Sequence, residues 1–521
     1  MLVAGTAAAQ GVAALAAMIA SPGQRRLACG CYEGRPRAYT VERMEEPENR
    51  RRDSDDAPLG RDGRPDPPPG TEGFRGKRTR TVSANRWVTP LLPRGQFARR
   101  VAVLAGGTAL GQAVSVLASP VLTRLYAPAD FGVLAVYASI LGIVSVVASL
   151  RYETAIPLPE AEADAANTLA LSLGVVLPMS LLVTAGVWLL GDQIVRWVNA
   201  PALRPYVWLL PPGVAMGGVY QVLSQWAVRR QAFQHLARTK LSQGAGAGVT
   251  QIGLGVLHSG PLGLLCGQIV GQTAGTTTLL GLVYSRDKET LRAVTSKQMR
   301  VMAARYQRFP KLASLAALIN ATGLQAPLLA LSALHGSQVA GWFALTAKVL
   351  GAPLGLIGNA TAQVMYGQAA ESARSGNTVR SLFWGVLRRQ ACVGLPVLVV
   401  APVAPFLFPF LFGKEWGEAG LYAAVLVPAL VAQFIAMPTG VLLDAMERQD
   451  LFLYREAMRL LLVGAVALVA VVLKLPPIGM IALFSLAMVV FAFLYAGCSL
   501  YAITHEGTKP CRQVGGDEVG D

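Results

Sequence analysis

The chain has 521 residues, 53% of them hydrophobic and only 15% charged, with a mean hydropathy of +0.45. Ordinary soluble domains carry roughly 25% charged residues, so this composition excludes a water-soluble fold built on one core. The formal charge of +16 would suggest nucleic acid in a soluble protein, but here it has to be located before it is interpreted.

The charge lies in two places. The first 100 residues hold 18 Lys/Arg and 11 Asp/Glu in a stretch dense in Arg, Pro and Gly. That composition cannot bury enough apolar area to fold. Residues 1 to 20 are apolar and could be a signal peptide, an extra span or sequence upstream of the true start. No positive segment precedes them and an Arg-rich tract follows. Residues 1–95 are therefore expected to be a disordered or spurious extension. Beyond them, the cations fall almost wholly between apolar runs.

A spanning helix needs roughly 20 mostly apolar residues. Such runs occur at 101–123, 131–150, 166–190, 206–226, 241–258, 261–284, 312–334, 338–364, 390–412, 419–443, 457–473 and 477–503. The expected fold is all-α integral membrane, with about 12 transmembrane helices in two six-helix halves around a central cavity. The first half is 96–284, a basic linker is 285–311, the second half is 312–505 and a tail is 506–521. With the N-terminus inside, inner loops carry 20 Lys/Arg, including Arg448, Arg455 and Arg459, and outer loops carry five. This asymmetry places both core ends in the cytoplasm.

A weak repeat supports the division. Residues 119–135 align with 326–344, pairing Pro120 with Pro327, Leu122 with Leu329 and, after a two-residue slip, Gly132 with Gly341. Six helices per half give parallel repeats about an axis along the membrane normal. Gly267, Gly271 and Gly275, and the GAGAG at 244–248, predict close helix packing. Trp188, Trp208, Trp226 and Trp342 lie near span ends, as membrane anchors do.

Lys348 falls near the middle of the eighth span, while the 19 acids beyond residue 100 are expected in loops, tails or span ends. An intramembrane cation faces a cavity or a counter-ion, so an anionic substrate could be its partner; snorkelling is the alternative. Arg124 and Arg151 end the first two spans. They read equally as a cationic cavity wall or as interfacial side chains. Glu153 could take up a proton or balance Arg151. Asn320, Gln325, Asn359 and Gln363 bring amides into the seventh and eighth spans, for sugar hydroxyls or for tying helices together.

The chain has no GxxxxGK[ST] phosphate loop, and its outer loops are too short for a nucleotide-sugar domain. It is therefore expected not to be an enzyme. Six scattered cysteines, Cys29, Cys31, Cys266, Cys392, Cys498 and Cys511, indicate neither a zinc site nor a disulfide framework. No cofactor, metal or nucleic-acid partner is expected.

LTRLYAPADFG (122–132), ASLRYETAIPLP (148–159), FPKLASLAALIN (309–320), the segment 341–370 and LFGKEWGEAGLYAAVLVPALVAQF (411–434) resemble the polysaccharide biosynthesis transporters of the multidrug/oligosaccharidyl-lipid/polysaccharide exporter superfamily. The resemblance covers about residues 95–505. It implies a flippase of the cytoplasmic (inner) membrane that moves an undecaprenyl-pyrophosphate-linked oligosaccharide outward for surface polysaccharide biosynthesis. Lys348, Arg124 and Arg151 would then supply cationic contacts, Asn320 and Asn359 polar contacts, and Glu153 ion coupling. Expected partners are the polyprenyl-pyrophosphate-linked glycan and anionic membrane lipids, with a glycan polymerase and glycosyltransferases as neighbours. The alternatives are a multidrug efflux transporter of the same superfamily, which should bury acids rather than a lysine, and a non-transporting scaffold of a glycan assembly complex.

The topology is testable. Reporter fusions after residues 195, 310 and 415 should read outside, inside and outside; an outside reading at 310 overturns the two-half arrangement.

Overall fold

The computed structural model describes residues 96–375, 379–442 and 449–506. The expected extension at 1–95 and nearly all of the expected tail lie outside the described residues. Every regular element among the described residues is helical. In chain order these are α1 (Gln96–Leu117), α2 (Ser119–Leu125), α3 (Pro128–Ser145), α4 (Glu162–Trp197), α5 (Leu210–Arg229), α6 (Phe233–Val256), α7 (Pro261–Thr273) and α8 (Thr276–Arg286). Short helices α9 (Lys288–Arg292) and α10 (Ser296–Arg305) form the basic linker, and a π-turn at Phe309–Ala313 leads into α11 (Ser314–His335). Then follow α12 (Ser337–Ser375), α13 (Val379–Gly394), α14 (Val400–Phe412), α15 (Gly417–Ala436), α16 (Gln449–Val472) and α17 (Pro477–Glu506).

Among the described residues each of the twelve expected spans falls mainly on helix, and eight helical segments are long and apolar enough to cross a membrane. The other four are helical but poorer in apolar residues or interrupted. One is broken where Gly275 takes φ +91°, between α7 and α8, a backbone conformation that glycine adopts without a Cβ penalty. Another, α16, carries Arg455, Glu456 and Arg459. The outward surface is apolar: Trp188 on α4 is 84% exposed and Phe406 and Phe410 on α14 are each 80% exposed. Such a continuous band belongs in hydrocarbon, not water. The chain is thus an all-helical, multi-span membrane protein.

In lipid the hydrophobic effect does not drive helices together, so close packing and hydrogen bonds must. The glycines serve this. A Cβ on Gly111 would meet the Lys240 carbonyl carbon at 3.1 Å, and one on Gly271 would meet the Ala247 Cβ at 2.8 Å; α6 is thereby fitted between α1 and α7. The tightest contact joins α3 to α12. A Cβ on Gly132 would strike the Ser337 carbonyl, and one on Gly341 would strike the Pro128 carbonyl. Each glycine faces the residue four positions before the other, so the two glycines paired by the repeat meet in a reciprocal crossing of parallel helices.

Around this crossing the chain is sealed. The Trp416 indole N–H donates to the Thr123 carbonyl at 3.2 Å, and its ring meets Phe131 edge-on at 4.9 Å between centroids. The Trp342 indole donates to the Glu415 carbonyl at 2.9 Å, and the Ser332 hydroxyl donates to the Val198 carbonyl at 2.6 Å. At the opposite end α10 docks on α4, with Gln298 Nε2 donating to Asp164 at 2.7 Å and Asn167 Nδ2 donating to the Ala293 carbonyl at 3.2 Å. Tyr152 is buried there with Met302 and Tyr306.

A valine at Gly132 or Gly341 would clash with backbone, which cannot rotate away. Either substitution should destabilise the protein by roughly 1–3 kcal/mol, as overpacking does. Gly464→Ala, where nothing lies within 4 Å, should be neutral or stabilising. Thermal melting of the detergent-purified protein distinguishes these outcomes.

Candidate functional site

At 100° and 1.5 Å per residue, Lys348 lies seven residues past Gly341, on nearly the same face of α12 and roughly 10 Å farther from the seal. The α3 residue in the equivalent register, seven past Gly132, is Ser139. Lys348 therefore belongs to the helix face that crosses α3, two turns beneath the glycine contact. Its side chain is half-buried, and among the described residues no carboxylate lies within ion-pair distance of it. Asn359 continues this stripe eleven residues on, roughly 16 Å deeper.

The amide of Gln325 on α11 enters a notch in α3. Its Oε1 accepts from the Ser139 hydroxyl at 3.4 Å, and a Cβ on Gly142 would sit 2.9 Å from its Nε2. A polar bridge from α3 to α11 thus lies at about the depth of Lys348. The backbone carbonyl of Asn320, five residues earlier, accepts from Arg459 Nη2 of α16 at 3.1 Å. The structure brings Gln325 against α3 and places Lys348 on the face of α12 that crosses α3, while Asn359 lies level with the chain beyond the end of α3.

Arg124 and Arg151 flank opposite ends of α3, which is roughly 27 Å long, so they do not share one wall. Arg124 is exposed in the last turn of α2. Arg151 lies in a tight turn at the linker end, where Leu150 and Arg151 have φ of 49° and 63°. Left-handed conformations are costly for side chains of this kind. Arg151 Nη1 approaches Glu153 Oε1 at 3.6 Å, with the arginine side chain 22% exposed and the glutamate 4%. That is an ion pair but longer than a hydrogen bond, and among the described residues the guanidinium donates no hydrogen bond. The Ser149 hydroxyl donates to the other Glu153 oxygen. Burial pushes the Glu153 carboxyl above its ordinary range, opposed by Arg151, the Ser149 hydrogen bond and a backbone hydrogen bond.

Three sequence expectations are corrected. Arg455 and Arg459 are not loop cations: both are buried or nearly so in α16, ion-paired to Glu456, with Arg455 Nη2 to Glu456 at 3.1 Å. Arg455 also stacks on Tyr495 of α17, its guanidinium carbon 4.1 Å from the ring centroid. Glu456 is correspondingly a buried acid rather than one in a loop. The signal lay in spacing, since residues four apart share a helix face. Trp226 is no membrane anchor: it is fully buried, donates to Asp287 at 2.8 Å, and stacks with Arg230. Removing Arg455 and Arg459 from the loops leaves the charge asymmetry in place.

Among the described residues no group of three His, Cys, Asp or Glu side chains could hold a metal. Among the described residues the arrangement offers instead a cation without a counter-ion on the α12 face that crosses α3, a second cation without a hydrogen-bond partner at the other end of α3, and the Gln325 amide on α3.

The sequence profile of polysaccharide biosynthesis proteins matches residues 121–420. No curated protein is detectably similar in sequence. Among solved structures, the inward-facing conformation of a multidrug resistance MATE family transporter of the MOP superfamily superposes with a TM-score of 0.61 at 14% identity, covering 79% of this chain and 98% of that one. The lipid II flippase MurJ in an inward closed conformation gives 0.57 at 10% identity, covering 78% and 87%. A MOP superfamily transporter from Pyrococcus furiosus, described as having a binding pocket of reversed polarity, gives 0.52 at 15% identity, covering 79% and 97%. These similarities establish the fold.

An unpaired ammonium in a span costs roughly 2.5–3.5 kcal/mol on the insertion scale. Lys348→Met should therefore raise the melting temperature of the substrate-free protein. An unchanged melting temperature would indicate that the ammonium already reaches the interface.

Proposed function

We propose a substrate and a direction for this chain, which belongs to the polysaccharide biosynthesis protein family and is a membrane transporter, not an enzyme: it flips a polyprenyl-pyrophosphate-linked oligosaccharide from the cytoplasmic to the outer leaflet of the cytoplasmic membrane. The observation that carries this reading is Lys348, an intramembrane cation with no counter-ion among the described residues, on the face of α12 that crosses α3.

A diphosphate cannot enter hydrocarbon unaided, because desolvating its charge is prohibitive. Cations along a polar path lower that barrier while the polyprenyl tail stays in lipid. In the proposed orientation the linker end is cytoplasmic and the glycine crossing is outward. Arg151 then stands at the inner mouth, Lys348 at the blind end of the cleft beneath the seal, and Arg124 beyond it at the outer exit. The halves, twelve spans in total, rock about the crossing so that the headgroup passes from the first to the last. Asn359 and Gln325 line the path for sugar hydroxyls; Asn320 contributes through α11. Protonation of Glu153 releases Arg151 toward the anion, which makes it the ion-coupling group of this scheme. The basic linker, with Lys297, Arg300 and Arg308 exposed, faces anionic lipid headgroups. The polymerase and glycosyltransferases of the same glycan are the partners this scheme requires before and after transport.

An efflux pump for organic cations is disfavoured because, among the described residues, the buried acids Glu153, Asp287 and Glu456 all lie against arginines rather than standing free for a cation.

Lys348→Ala should abolish glycan export at equal membrane abundance and cause lipid-linked precursor to accumulate. Lys348→Arg should retain part of the activity, since charge is kept and shape is not, and Lys348→Glu should be worse than alanine. Export by Lys348→Ala at the wild-type rate overturns the headgroup role.

A further inference from the structure

We propose that Arg229 is a positioning residue for Arg151: it clamps the turn that follows and thereby presents the unused guanidinium of Arg151 at the mouth of the cleft. The inference rests on the reading that Arg151 meets an anionic headgroup.

The argument begins with the turn itself. Residues 156–160 read IPLPE, and the two prolines have no N–H to donate. Carbonyls in such a segment cannot be matched by a local ladder, yet buried carbonyls need partners. Arg229, at the end of α5, provides them. Its Nη1 donates to the carbonyls of Ile156 at 3.4 Å, Pro157 at 3.3 Å and Pro159 at 2.7 Å. Its Nη2 reaches Glu162 at the start of α4 at 3.3 Å, and the side chain is only 10% exposed. A planar guanidinium can address the turn with one nitrogen and the carboxylate with another; a lysine ammonium cannot hold both in that geometry.

The clamp is in turn anchored. Arg230 pairs with Glu162 at 2.9 Å and with Asp287 at 2.7 Å, and Asp287 accepts from Trp226. Asp164 accepts from Gln298. Glu162, Asp164 and Asp287 thus have partners other than Arg151. Glu289 on α9 is exposed, and Arg305, Arg308 and Lys311 are cations that cannot neutralise Arg151.

Arg151 itself needs such support. Two consecutive residues, Leu150 and Arg151, are held in the left-handed region, and strain of this kind persists only where the surroundings over-determine it. On the near side the Thr154 hydroxyl donates to the Arg151 carbonyl at 2.7 Å and Ser149 holds Glu153. On the far side the fixed point is Arg229. It makes no contact with Arg151, so it acts through the chain between them.

The test is a double-mutant cycle on the full-length protein in lipid nanodiscs, with farnesyl diphosphate as the titrated probe and farnesol as its uncharged control. Arg151→Gln should weaken binding of the diphosphate roughly tenfold, the scale of a lost charge-assisted hydrogen bond. Arg229→Gln should weaken it by a similar factor, Arg229→Lys by less, and the exposed, distant Arg204→Gln not at all. The double variant Arg151→Gln/Arg229→Gln should bind no worse than Arg151→Gln alone, because the second residue acts only through the first. A full further loss in the Arg151→Gln background, or wild-type binding by Arg229→Gln, overturns the inference and leaves the site reading intact. If Arg229→Gln does not fold, the same cycle run with Arg229→Lys decides in the same way. Wild-type protein that does not distinguish the diphosphate from farnesol, or Arg151→Gln that binds as wild type does, overturns the site reading and the inference together.

Discussion

The arrangement of α3 and α12, on which the proposed path depends, rests on one backbone contact, the crossing of these two helices. Gly132 lies against the Ser337 carbonyl and Gly341 against the Pro128 carbonyl, so no side chain separates the helices. In lipid, where apolar burial gives no net advantage, this approach and its dispersion contacts do the holding. The aromatic seal of Phe131 and Trp416 closes around the crossing. Because the two helices run parallel from that point, whatever lies two turns on belongs to the space beneath the seal. Lys348 and Ser139 occupy those positions.

The buried charges divide into two kinds. Arg455, Glu456 and Arg459 satisfy one another between α11, α16 and α17, and Arg229, Arg230, Glu162 and Asp287 do the same at the linker end. Such networks hold helices in register, and removing one member leaves an uncompensated charge. Among the described residues Lys348 has no counter-ion, and Arg151 has only a carboxylate beyond hydrogen-bond range. In the proposed scheme these two cations are the ones that meet the anion, while the ion-paired ones hold the helices around them.

The paired networks also connect to the open groups. Arg229 belongs to the first kind by its contact with Glu162 and serves the second by gripping the turn that carries Arg151. Likewise Arg459 is held by Glu456 while its other nitrogen fixes the Asn320 carbonyl. The static charges hold in place the backbone that presents the open ones.

The sequence by itself determined the helical, membrane-spanning class, because twenty-residue apolar runs bounded by cations have no other stable solution in a bilayer. It also determined Lys348 as the exceptional residue, since a lone cation in an apolar run is visible without coordinates. The glycine pairing across the repeat was legible too, because crossing helices need small residues at fixed spacing. Only the tertiary structure decided which cations are free. Arg455 and Arg459 stand at the head of an apolar run and look like loop charges until α17 and α11 close over them. Arg124 and Arg151 look alike at span ends, yet α3 holds them at opposite ends. Trp226 looks like an interfacial anchor until Asp287, sixty-one residues away, accepts a hydrogen bond from its indole. Pairing between distant charges depends on which helix faces meet, and a periodic pattern gives the face of one helix but not its neighbour.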